Sequence, residues 1–321
     1  MTKILKLESV EYRYRISGLP TSNPGAVQIL VPVYLFNENS LRMAQVCIDS
    51  IKKTTPEPHD VWVIDNNSQE RFKRSIRARG DIGLIENLVE PIDPTVSATL
   101  SLPALGRRII RRVSGRQVRV QSENGAYANA VALEIGCAAI DSRTSLVFTM
   151  HSDSLPLKEG WLSFLRSKLT PSVRAVSCWR DKLRVNALHV GGLLFDYSLF
   201  RSLDCSFLPN LNQSRSVDWP EYDVGDLISL KFRDAGFDLY SCDNSYNDPN
   251  LVGNLADYHP LKYLNCDRCF DDSDEIFFAH LGRGTPKASG HYRKGGKATA
   301  DDWIEFAKGY VPLKQGQGMP R

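Results

Sequence analysis

Between residues 27 and 280, short and nearly continuous apolar runs alternate with longer stretches in which apolar residues recur every three or four positions. The runs VQILVPV at 27–33, DVWVID at 60–65 and LVFTM at 146–150 predict strands covered on both faces. The longer stretches predict helices. One covers 41–53, with Leu41, Ala44, Ile48 and Ile51 on one face behind Asn39 or Ser40 as cap; another covers 126–140, with Ala130, Leu133 and Cys137 aligned. Strand, helix and strand within about forty residues make a βαβ unit, so the pattern predicts an α/β fold with a mostly parallel central sheet flanked by helices.

Weaker elements follow the same reading. An Arg- and Lys-rich helix at 70–79, strands at 84–89, 118–120, 173–178 and 277–280, and helices at 162–169 and 227–235 complete the set. HVGGLLF at 189–195 is a strand whose Gly191 and Gly192 suit close backbone approach by a ligand. Residues 1–26 end in Pro20, Asn23, Pro24 and Gly25, which predicts an N-terminal arm or edge strand ahead of the main fold. Residues 90–116 carry Pro91, Pro94 and Pro103 and then arginines, and read as an insertion, a lid or acceptor element. From 281 to 321, Gly282, Gly284, Gly290, Gly295 and Gly296 stand among Arg and Lys, which predicts a flexible basic tail.

Composition narrows the class. Apolar residues are 42% and charged residues 24% of the 321, the proportions of a soluble globular protein. No stretch approaches the roughly 18 apolar residues that cross a bilayer, and the first thirty residues lack a signal-peptide core, so a cytoplasmic protein is expected. A net charge of +3 argues against a chain built mainly to grip nucleic acid. Arg107, Arg108, Arg111 and Arg112 form a local basic cluster that suits a lipid-linked diphosphate or the inner face of a membrane, against the commoner role of a solvated face. The seven cysteines read as reduced core residues; Cys266 and Cys269 form a lone CxxC without the second pair that structural zinc requires.

The central strand at 146–150 stops abruptly at His151-Ser152-Asp153. Residues two apart on an extended chain face the same side, so His151 and Asp153 are placed to share one divalent cation. A polar strand end that merely starts a solvated loop is the plain alternative.

Five pieces in order resemble the glycosyltransferases of the GT-A fold, in particular the inverting family 2, from about residue 28 to residue 280. QILVPVYLFNENSLRMAQVCIDSI is similar to that family's opening strand, loop and helix, and VWVIDNNS to its second strand with a terminal Asp. ENGAYANAVALEIGCAAIDSRTSLVFTMHSD looks like the Asn-Gly, helix, central strand and metal triplet, although the triplet normally reads Asp-x-Asp. GGLLFDYSLF and EYDVGDLISLKFRDAGF look like the acceptor-side strand and the acidic helix start, with one residue more than the usual Glu-Asp-x-Asp spacing.

The resemblance implies a nucleotide-sugar half at 27–155 and an acceptor half at 156–280. Its metal ligands are Asp153, His151 and His280, with manganese tolerating the extra imidazole better than magnesium. Pro32, Tyr34, Glu38, Asp65, Asn124, Asn129, Ser152 and Arg283 are the implied nucleotide-sugar contacts. Asp223 or Asp226 is the base, with Glu221 beside it, and Trp219, Tyr222, Gly191 and Gly192 face the acceptor, a glycan, a lipid-linked molecule or another hydroxyl. Arg283, Lys287, Arg293 and Lys294 are the fallback for neutralising phosphate without metal. Two other functions remain open: a catalytically silent binding relative and a sugar-phosphate nucleotidyltransferase.

Overall fold

The computed structural model describes residues 2–18, 23, 25–91, 120–182, 185–210, 221–290, 293–294 and 297–310. The predicted insertion at 90–116, with Arg107, Arg108, Arg111 and Arg112, lies almost wholly outside them, as does Trp219; the side chains of Asn124, Arg293 and Lys294 lie outside as well.

A hairpin of β1 (Thr2–Leu7) and β2 (Val10–Ser17) opens the chain, followed by β3 (Val27–Val33), α1 (Glu38–Thr54), β4 (His59–Asn66), α2 (Glu70–Arg77) and β5 (Gly83–Asn87). After α3 (Val120–Ala139) come β6 (Leu146–Met150), β7 (Ser154–Pro156), α4 (Trp161–Ser167), β8 (Val173–Ser177), β9 (Arg180–Asp181), β10 (Ala187–Leu188), β11 (Gly192–Asp196) and α5 (Tyr197–Ser202). The remainder is α6 (Asp226–Asp234), β12 (Asp238–Ser241), β13 (Asp243–Asn244), α7 (Asn250–Gly253), β14 (Asp267–Phe270), β15 (Ile276–His280), α8 (Gly284–Ala288), β16 (Arg293–Lys294), β17 (Lys297–Ala298) and α9 (Thr299–Tyr310).

Nine strands form the main sheet in the order β1-β2-β5-β4-β3-β6-β11-β8-β12. The block β5-β4-β3-β6 is parallel, as expected for the apolar runs of β3, β4 and β6. On its flanks β2, β11 and β1 pair antiparallel and β12 pairs parallel with β8, so the sheet as a whole is mixed. Alternation along the strands explains why both faces are covered. Ile29, Val31, Val61 and Val63 point to a core shared with α1, α2 and α4. Leu30, Trp62 and Ile64 point to the opposite core, built on α3, α5 and α6.

Several expectations change. Residues 1–26, expected as an arm or edge strand, supply the edge strand β1 and also β2 to the main sheet, with Tyr12 and Tyr14 in its core. Helix α1 starts earlier than Asn39 or Ser40: Asn37 is its cap, accepting from Ser40 N–H, while Ser40 Oγ accepts from Asn37 N–H. Val120, expected in a strand, begins α3 instead. Residues 299–310 of the expected flexible tail are packed structure, because Ala300, Trp303, Ile304 and Ala307 make an apolar stripe buried against Met43 and Val46 of α1. Lys287 is buried and donates to Leu281 O at 2.5 Å, so it staples its own loop and is not presented to phosphate.

All seven cysteines are free and buried. Cys266 and Cys269 sit in different core clusters, and burial pushes the Cys266 thiol up to about 12.

Candidate metal centre

Strand β6 ends at Met150 in the middle of the sheet, and the chain turns at once into β7, with Ser154 N–H bonded to His151 O. β7 is the edge of a second sheet, β13-β14-β15-β7, in which His280 pairs with Ser154 on one side and Asp267 on the other. The turn therefore carries His151 and Asp153 to the end of β15, 129 residues further along the chain in the case of His151 and His280. Leu281 N–H closes the junction by donating to Asp153 O at 2.9 Å.

His151, Asp153 and His280 each offer one ligand atom, and these atoms lie within 4.8 Å of one another. His280 Nε2 is 3.4 Å from Asp153 Oδ1 and 3.5 Å from His151 Nδ1. A divalent cation with ligands at about 2.1 to 2.4 Å spans ligand separations up to about 4.2 to 4.8 Å, so the cluster fits one with little movement. Behind the ligands stand the partners such sites use: Asp267 Oδ2 is 3.7 Å from His280 Nδ1, and Asn129 Nδ2 is 3.1 Å from His151 Nε2.

The charges of the metal-free cluster balance one another. Burial opposes ionisation of Asp153, but the charge of His280 and its hydrogen bond outweigh it and hold the carboxyl well below the usual carboxylate range. Burial likewise opposes protonation of His280, and Asp153 and Asp267 override it, raising that imidazole to about 9. His151 goes the other way: burial and then the neighbouring His280 lower it to about 4, so it is a neutral ring with a lone pair to give.

Glycines set the approach of the backbone here. A Cβ on Gly284 would meet Asp153 Oδ2 at 2.7 Å, and one on Gly191 would meet His189 Nδ1 at 2.9 Å and His151 Nδ1 at 3.1 Å. At Gly192 the neighbours are Trp179 and Cys178. What comes close to Gly191 and Gly192 is thus the protein's own imidazole and indole rings. His189 and Trp179 are two members of the site that sequence reasoning missed; their rings lie 5.4 Å from His151 and 5.2 Å from His280 respectively. Asp267 is a third. The one available signal was that His189 opens the HVGG motif.

Around this centre the other expected residues fall into two groups. On the β3–β4 side, Asp65 lies next to the end of β4 opposite Val33, buried, with Lys73 Nζ at 3.2 Å from Oδ2. Burial raises its pKa, opposed by Ser68 and Lys73. Pro32 pairs in register with Ile64. Tyr34 is 51% exposed and stacked on Phe36, and Glu38 in the first turn of α1 lines a hollow of about 330 Å³ with Asn37, Asn39, Arg71 and Phe72. Ser152 is half-buried in the turn itself, and Arg283 has left-handed backbone, φ 54°, just before α8.

On the other side, Gly225 packs against Val190 and Phe207, which sets the 221–226 segment beside the 189–192 loop. Asp226 is buried and accepts from Asp223 N–H at 2.8 Å, while Asp223 Oδ1 accepts from Val224 N–H. Glu221 and Asp223 are half-buried. Tyr222 is 4% exposed and packs with Leu227 and Leu230.

No family model matches the chain, and no curated protein matches it. Solved structures do. A mannosyltransferase from Pyrobaculum calidifontis, in complex with GDP-Man and Mn2+, is 16% identical over 92% of this chain and 73% of its own, with a TM-score of 0.42. A galactosyltransferase in complex with donor and acceptor sugar analogs is 12% identical over 90% and 98%, with a TM-score of 0.47. Glucosyl-3-phosphoglycerate synthase from Mycobacterium tuberculosis, with Mn2+, UDP and phosphoglyceric acid, is 15% identical over 67% of each chain, with a TM-score of 0.38. Likenesses this loose say nothing of chemistry, which has to be argued from the residues of this chain.

Proposed function

We propose that the chain is a metal-assisted glycosyltransferase that moves a sugar from a nucleotide-diphosphate sugar to an acceptor hydroxyl with inversion. The observation that carries this reading is the meeting of His151, Asp153 and His280 where the parallel block of the sheet ends, the edge at which open α/β sheets bind ligands. The cation is divalent, with Mn2+ preferred over Mg2+ because two of the three ligand groups are imidazoles.

When bound, the cation neutralises the diphosphate as it leaves. Asp153, His151 and His280 hold it. Asp65 and Glu38, with the backbone of Pro32 and Tyr34, receive the nucleotide on the β3–β4 side, and Ser152 and Arg283 stand next to the phosphates. Asp223 takes the proton of the acceptor hydroxyl, because Asp226 is the more buried of the pair and is already committed to Asp223 N–H. Asp226 and Glu221 orient that base.

The test is turnover of a panel of nucleotide sugars with and without Mn2+, in the wild type and in Asp153→Ala. Loss of turnover in the variant and on chelation is expected; an unchanged rate in either removes the metal role. A second reading, a sugar- or nucleotide-binding relative without turnover, is favoured by the His280–Asp153 ion pair, which satisfies the site by itself. Mn2+-dependent binding of the donor with no hydrolysis or transfer would select it.

A further inference from the structure

We propose that Asn66, the last residue of β4, is a positioning residue for the metal ligand His151, which it reaches through α3 and Asn129. Val89 N–H donates to Asn87 Oδ1 at 3.0 Å, and Asn87 Nδ2–H donates to Asn66 Oδ1 at 2.9 Å. Asn66 Nδ2–H in turn donates to Ala128 O of α3 at 2.7 Å. The next residue of that helix is Asn129, whose amide lies 3.1 Å from His151 Nε2. A backbone N–H at one end can only donate and a backbone carbonyl at the other can only accept, so both intervening amides are fixed in orientation. The use of this arrangement rests on the metal-centre reading above; the contacts themselves do not.

Asn66 and Asn87 are both buried. Burying two amides costs free energy unless every donor and acceptor is met, and here the pairing is continuous from β5 to α3. Apolar burial already holds α3 to the sheet, since Ala130 and Leu133 share a core with Leu30 and Ile64. That attraction is non-directional, whereas a satisfied hydrogen-bonded network admits one arrangement. What the amides add is therefore the place of α3 along and around its axis.

The tolerance at the far end is small. A hydrogen bond is lost by about 3.6 Å, so a shift of about 0.5 Å in α3 releases His151 from Asn129. Ala128 and Asn129 are consecutive residues of a regular helix, so a bond that fixes the carbonyl of the one fixes the origin of the other's side chain. Amides that served only the core would show their loss in stability alone.

Titration calorimetry with Mn2+ on the full-length protein separates the two roles. Asn66→Ala weakens Mn2+ binding about three- to tenfold, less than the loss of a group that touches the ligand itself. Because Asn66 acts through Asn129, the double variant Asn66→Ala/Asn129→Ala binds no more weakly than Asn129→Ala alone. Ile64→Val trims the contact of β4 with Gly136 of α3 and leaves the amides in place, so it keeps the wild-type affinity. In the EDTA-treated protein, the ring nitrogen-15 resonances of His151 move in Asn66→Ala in the direction in which Asn129→Ala moves them. Should Asn66→Ala not fold, Asn66→Ser carries the same test, because its short hydroxyl cannot span Asn87 and Ala128. Wild-type Mn2+ affinity in Asn66→Ala, losses that add in the double variant, an equal loss in Ile64→Val, or an unmoved His151 ring overturns the proposal. A wild type that binds no Mn2+ while the ring resonances still move removes the metal centre and leaves the hold of Asn66 on His151 standing.

Discussion

Asn129 Nδ2 lies 3.1 Å from His151 Nε2, on the opposite ring nitrogen from the one that faces His280. An imidazole held at one nitrogen is fixed in direction and in tautomer. With the amide turned to place its oxygen on Nε2–H, Nδ1 keeps the lone pair that faces Asp153 and His280. That is the tautomer a cation needs. Asn129→Ala therefore weakens Mn2+ binding by about 10- to 100-fold while the fold survives. Titration calorimetry on wild type and variant checks it, and equal affinities would show that the ring is oriented by something else.

Cation binding in this site is a proton exchange. His280 is raised to about 9, so near pH 7 it carries a proton that must leave before the ring ligates. Asp153 is already ionised there and contributes none. Between about pH 6.5 and 8.5 the Mn2+ affinity rises close to tenfold per pH unit, and calorimetry in buffers of different ionisation enthalpy shows about one proton released. The metal-free protein behaves oppositely. A histidine whose folded pKa exceeds its unfolded value stabilises fully below about pH 6.5 and loses that contribution as pH rises through about 9. Asp153, lowered on folding, contributes above its ordinary value near 4 and loses that contribution in acid. Without metal, this pair is thus most stabilising between about pH 4 and pH 6.5, and a melting-temperature profile that climbs from pH 7 to 9.5 would contradict the assignment.

The parts of this arrangement that could be read from the chain are those written in local pattern. Strands β4, β3 and β6 announce themselves because strands covered on both faces need nearly unbroken apolar runs. The abrupt end of one such run marked His151 and Asp153 as a pair. Trp179 and Asp267 were not legible, because nothing local distinguishes them, and His189 had only its place at the head of HVGG: Asp267 reaches the centre through the pairing of β14 with β15, and Trp179 through packing on His280. The 299–310 segment was misread for a related reason. Glycines set among basic residues lead into it, while the four residues that dock α9 make a narrow stripe visible only at helical spacing.

That docking is large enough to measure. Trp303 is fully buried and packs on Ala300, Ile304 and the α1 residues Met43 and Val46. Trp303→Ala leaves a cavity and costs about 3 to 5 kcal/mol, read from denaturant unfolding. Because α1 is also tied to the end of α8, through Asn37 Nδ2 and Ala288 O at 2.7 Å, the loss of α9 loosens the loop over Asp153. Mn2+ affinity falls together with stability in this variant. A destabilised protein that binds Mn2+ as the wild type does would show that α9 has no part in shaping the centre.

Gly284 offers the sharpest steric test of that loop. A methyl group there would lie 2.7 Å from Asp153 Oδ2, 2.8 Å from Cγ and 2.9 Å from Cβ, separations that real side chains do not tolerate. The carboxylate cannot swing aside alone, because its own Cβ is among the atoms struck and the backbone of residue 153 is held by Leu281 N–H. Either the 281–284 loop or the 151–154 turn has to move, and either movement separates Asp153 from His280. Gly284→Ala thus loses about 1 to 3 kcal/mol of stability as an overpacked site, and loses at least tenfold in Mn2+ affinity. The His280 resonance in a proton NMR titration then shifts its midpoint from about 9 toward the ordinary imidazole value, since the charge that raised it has moved away. A variant with native Mn2+ affinity and an unmoved His280 titration would show that Asp153 is not held between this loop and the ligand cluster.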